Sequence, residues 1–117
     1  MFSSDPGAAR SILAGRLSQS GETLLAELPL SGGALGGAGA LAVTAQSVWL
    51  AQPQLVGAPS VASVPLSDVG RVGFRARPVF GGLRVTLEIA GHPVKLTTSA
   101  AEDEVSEFLR VLEAART

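Results

Sequence analysis

The stretch LRVTLEIAGHPVKLTT, residues 83–98, decides how this chain is read. Leu83, Val85, Leu87 and Ile89 alternate with Arg84, Thr86, Glu88 and Ala90. That period of two belongs to a strand with one buried and one solvated face. Ala90, Gly91, His92 and Pro93 form the expected loop, after which Val94 and Leu96 resume the alternation. An antiparallel pairing with Ile89 opposite Val94, Leu87 opposite Leu96 and Glu88 opposite Lys95 keeps apolar residues together. A slip of one residue would turn the charged set inward.

Upstream lies a second strand of the same kind. Val72, Phe74 and Ala76 alternate with Arg71, Gly73, Arg75 and Arg77, and Val79, Phe80, Gly81 and Gly82 supply a turn. Pairing Pro78 with Leu83 sets Val72 opposite Ile89, Phe74 opposite Leu87 and Ala76 opposite Val85. Residues opposed in an antiparallel pair share a face. Arg71, Arg75, Arg77, Arg84 and Lys95 are therefore expected on one side of the sheet, with Glu88 among them.

Downstream, Ser99, Ala100, Ala101 and Glu102 read as a capping box. Val105, Phe108, Leu109 and Leu112 follow at helical spacing, one apolar stripe. Glu102, Asp103 and Glu104 lie where the helix dipole favours anions, and Arg110 and Arg116 lie toward the other end. Such a stripe must cover something, and the sheet is the candidate.

The first half of the chain supplies the rest. Asp5 and Pro6 look like a helix start, and Ala8, Ile12, Leu13 and Leu17 recur at helical spacing through about Ser18. From Glu22 the period becomes two, with Leu24, Ala26, Leu28 and Leu30 on one face. Residues 40–44, 48–51 and 61–66 read as further strands. The glycine-rich segment from Ser31 to Gly39 is a connection. It precedes a strand and lacks a following Lys-Ser/Thr, so it does not fit a phosphate-cradling loop.

Composition narrows the function by exclusion. The 117 residues carry 9 Lys and Arg against 10 Asp and Glu, a net charge of −1, with 46% hydrophobic and 16% charged residues. Disorder does not fit that balance. The absence of cysteine removes disulfides, thiolate catalysis and Cys-based zinc sites. His92, the single histidine, has no sequence neighbour that would make it catalytic. No secretory signal or 18-residue apolar run is visible, so a cytoplasmic protein is expected. No catalytic residues, cofactor or metal ligands are expected, and nucleic-acid binding is disfavoured because the basic face lacks stacking aromatics.

The order of elements resembles the pleckstrin-homology-like (PH-like, GRAM-like) domain, in particular its small bacterial versions. Three stretches carry the resemblance: Gly39–Thr44 with Val48, Trp49 and Leu50 after a tight turn; Val64-Pro65-Leu66-Ser67-Asp68-Val69; and the hairpin Leu83–Thr98 with the helix from Ala100. Together they cover about Glu22 to Arg116. The resemblance implies a mainly β (α+β) fold, a bent antiparallel sheet or barrel of about seven strands with a C-terminal capping helix. Residues 1–21 are expected to form a helical extension and residues 22–117 the PH-like domain. Lipid-binding members carry a basic signature across the first two strands, whereas Glu22 through Thr44 here contain no Lys or Arg. The resemblance then implies a noncatalytic interaction or assembly module that binds a protein partner or itself as a homo-oligomer. The alternative is a peripheral membrane or acidic-lipid binder using the basic face. Between Arg71 and Lys95 stand five basic residues and one acidic, while the C-terminal helix is acidic. Trp49 and Phe80 are candidate interface anchors, Trp49 with the competing expectation of packing under the N-terminal helix.

Overall fold

The structure, a computed structural model, describes residues 8–31, 39–52, 60–76 and 82–116. Helix α1 spans Ala8–Ser20, two residues beyond its expected end; Asp5 and Pro6 lie outside the described residues. Strands β1 (Leu24–Leu30), β2 (Gly39–Thr44), β3 (Ser47–Gln52) and β4 (Ser60–Pro65) form an antiparallel sheet in that order. Strands β5 (Val69–Ala76), β6 (Leu83–Ile89) and β7 (His92–Thr98) form a second antiparallel sheet. Helix α2, Glu102–Arg116, follows.

The strands do not run round a closed barrel. Pro65 ends β4, and a 3-10 turn over Leu66–Asp68 redirects the chain before β5 begins. Within that turn the Leu66 N–H is taken by the Gln46 carbonyl at 3.0 Å, away from the β5 ladder. At the opposite corner the sheets touch through one bridge, Ser31 to Thr97, with the Ser31 N–H donating to the Thr97 carbonyl at 2.8 Å.

Strand β2 explains how the layers stack. Leu41 and Val43 join a core with Leu28 and Leu30 of β1, Val85 and Leu87 of β6, and Val105, Phe108 and Leu112 of α2. Alternate residues Ala40 and Ala42 face the other way, and with Ala51 they form a small-residue floor under Leu13 and Leu17 of α1. Both faces of β2 are covered, so every residue of it is buried. Each buried leucine of α2 contributes roughly 1.5–3 kcal/mol relative to exposure, which holds the helix across the open side of the sheets.

Both late hairpins differ from expectation by two residues. Val72 pairs with Leu87, Phe74 with Val85 and Ala76 with Leu83; Leu87 pairs with Val94 and Val85 with Leu96. A slip of two preserves the faces, so the apolar set still points inward. The reason in the second hairpin is a two-residue turn. Ala90 and Gly91 both adopt positive φ, 50° and 85°, which lets β7 begin at His92 directly opposite Ile89. In the first hairpin, Gly70 and Arg71 bulge opposite the single Glu88, between the pairs Val69–Ile89 and Val72–Leu87.

The helix cap also differs. Helix α2 starts at Glu102, and the hydroxyl that organises its approach belongs to Thr98, not Ser99. Buried Thr98 accepts the Ala100 N–H at Oγ1, 3.0 Å away.

Candidate interaction surface

The outer face of the second sheet collects the basic residues. Arg75 lies directly opposite Arg84, and Lys95 of β7 lies opposite Thr86 of β6. Arg71, Arg75, Arg84 and Lys95 are all exposed. Arg77 and Phe80 lie outside the described residues.

This face carries no ion pair among the described residues. The expected opposition of Glu88 and Lys95 is not formed: the two-residue slip sets Glu88 opposite Pro93 on β7, while on β5 it faces the Gly70–Arg71 bulge. Its carboxylate lies over Gly70, where a Cβ would come within 2.6 Å of Glu88 Oε1. The bulge creates that space. Among the described residues, no ion pair reaches Arg71, Arg75, Arg84 or Lys95; the ion pairs are Arg10–Glu27, Arg110–Glu107 and Arg116–Glu113.

Gly73 belongs to this face, in edge strand β5. It sits between Arg71 and Arg75 along β5 and opposite Thr86, and a Cβ built there meets nothing within 4 Å. The result is a patch of bare backbone at the sheet edge, flanked along β5 by Arg71 and Arg75 and faced across the ladder by Thr86. Sequence reasoning missed it, although a glycine inside a strand pattern often marks a close approach by another group.

The acidic surface lies elsewhere. Glu102, Asp103 and Glu107 share an exposed face of α2 with Ser106 and Arg110. Hydrogen bonding from Arg110 holds the Glu107 carboxyl below its ordinary range and raises the guanidinium in turn.

Trp49 is half-buried against the α1 cluster, and its indole N–H donates to Glu22 Oε1 at 3.4 Å. Its contacts are internal, because α1 lies across that face of the sheet. His92 is exposed at the first position of β7. Sequence reasoning also missed the Glu22 carboxylate, which accepts the Thr44 hydroxyl at 2.6 Å. Thr44 in turn accepts the N–H groups of Gln46 and Ser47 at 3.1 and 3.0 Å, fixing the β2–β3 turn. Among the described residues there is no group of three or more His, Asp or Glu side chains that could hold a metal, and no helix is long and apolar enough to cross a membrane.

No family model matches the chain, and no curated protein matches it. Among solved structures it is similar to the crystal structure of the C-terminal domain of an unknown protein from Leishmania infantum. The match covers 92% of this chain and 98% of that one, with a TM-score of 0.60 and 11% identity. At that identity the likeness is one of fold.

Proposed function

We propose that the chain is a noncatalytic interaction module of PH-like build that engages an acidic protein partner through the outer face of its second sheet. The PH-like assignment draws support from the order of a four-stranded sheet, a three-stranded sheet and a C-terminal helix, together with the sequence stretches that resemble the family. The binding role rests on one observation: Arg75 opposes Arg84, exposed, with no acidic partner among the described residues. Like charges directly opposite each other destabilise a ladder, and a partner's carboxylates relieve that repulsion. The planar guanidinium fork suits carboxylate pairs.

The test is fluorescence anisotropy of a labelled octaglutamate peptide with the full chain at low and moderate salt, beside sedimentation with phosphatidylserine-containing vesicles. Salt-sensitive peptide binding that is lost in Arg75→Glu/Arg84→Glu supports the proposal. Vesicle binding without peptide binding replaces it with the acidic-lipid alternative. Binding of neither probe overturns both.

A further inference from the structure

Resting on that reading, we infer that the acidic partner is a second copy of this chain, whose α2 lies by its first turns across the Gly73 patch of the basic sheet. Two observations meet here. One is shape. The outer face of the first sheet is paved with Ala40, Ala42 and Ala51, and a helix lies on it. On the outer face of the second sheet the bare backbone of Gly73 lies in edge strand β5, and the apolar stripe of α2 is buried in the inner core, on the opposite side of that sheet. Small residues are what allow a helix to approach a sheet closely.

The other observation is charge. Arg75, Arg84 and Lys95 on that face call for an acidic helix. The chain carries one: Glu102, Asp103 and Glu104 are exposed in the first turn of α2 and have no ion pair among the described residues. Their three negative charges outweigh the partial positive charge, about half a unit, at a helix N-terminus. Ordinary capping electrostatics accounts for acids in that turn; it does not account for the basic face that matches them. The two surfaces are different patches of one molecule, so the contact is heterologous and propagates head to tail or closes into a ring.

Light scattering of the full chain reads the association, and circular dichroism checks each variant's fold. The wild-type mass is expected to rise above that of a monomer with concentration at low salt and to fall back as salt is added. Arg75→Glu/Arg84→Glu and Glu102→Lys/Asp103→Lys should each be monomeric, and mixing the two should restore the larger mass, because each then meets a complementary surface. Gly73→Leu changes no charge and fits open space on an extended strand, so it should fold and yet stay monomeric. Placed in both charge variants, it should abolish their mutual association. A wild type that is monomeric at millimolar concentration overturns the inference, as does association that survives Gly73→Leu or either reversal. Octaglutamate binding retained by a monomeric wild type would leave the acidic-partner reading standing while removing the second copy as its partner.

Discussion

Thr98 donates its hydroxyl to the carbonyl of Pro29 at 2.5 Å, across 69 residues of chain. The same oxygen accepts the Ala100 N–H, so one fully buried side chain joins the end of β7 to β1 and steers the backbone into α2. Among the described residues one backbone bridge, Ser31 to Thr97, joins the two sheets, so this hydroxyl is a main polar tie at their corner beside the shared apolar core. Thr98→Val keeps the shape and removes both bonds. It should cost about 1–3 kcal/mol, the penalty of stranding polar groups away from water, read as a lower urea midpoint. Thr98→Ser should recover most of the loss. Equal stability of Thr98→Val and wild type would show that the corner is held by apolar packing alone.

Glu22 makes stability pH-dependent in a defined direction. The Thr44 hydroxyl is the main cause holding its carboxyl below the ordinary glutamate value, with burial opposing and the Trp49 indole adding to the effect. The unfolded chain therefore binds the proton more readily than the folded one. The stabilisation is fully present above the unfolded pKa of about 4.3 and is lost as pH falls through the lower folded value. Urea midpoints measured through that acid window should fall more steeply for wild type than for Glu22→Gln. Trp49 fluorescence should shift over the same range, since its indole shares the carboxylate. Parallel slopes for the two proteins would remove Glu22 as the titrating group.

The opposition of Arg75 and Arg84 predicts a conflict between stability and binding. Replacing Arg75 with Thr removes a like-charge pair and introduces a residue suited to strands. The variant should gain roughly 0.2–1 kcal/mol, more at low salt than at high salt, while losing affinity for octaglutamate. Urea midpoints at two ionic strengths measure the first effect and anisotropy the second. A variant less stable than wild type at low salt would mean that Arg75 is already neutralised within the free chain.

These relationships were unequally legible in the sequence. Alternation alone set the basic residues on one face, because which side a residue takes survives a slip of two. The stripe of Val105, Phe108, Leu109 and Leu112 was equally plain, since each lies on one side of a helix and all four are buried. Cross-strand partners were not legible, because they depend on loop length. Nothing in the sequence around Ala90 announces a residue that will take positive φ, so a four-residue loop was the natural reading and Glu88 was given Lys95 as its neighbour. The Gly73 patch escaped for a related reason: a glycine's emptiness gains meaning only when its surroundings are known. Thr98 and Ser99 were indistinguishable as caps, because the decisive partner, the Pro29 carbonyl, is distant in sequence.

That turn yields the last prediction. Ala90 at φ 50° and Gly91 at φ 85° form a two-residue hairpin loop of the kind that needs positive φ at both positions. Glycine meets the requirement freely, but alanine in the left-handed region costs about 1–2 kcal/mol because its Cβ crowds the backbone. Position 90 is held there by context: its N–H donates to the Asp68 carbonyl at 2.8 Å, and Ile89 and His92 pair immediately beyond it. Asn tolerates this conformation better than any other common residue except glycine. Ala90→Asn should therefore recover part of that cost of about 1–2 kcal/mol and stabilise the chain, whereas Ala90→Val, with a branched Cβ, should destabilise it. Urea midpoints of the two variants decide the matter. If Asn brought no gain and Val no loss, residue 90 would not occupy the left-handed region, and the four-residue loop with Glu88 opposite Lys95 would regain its standing.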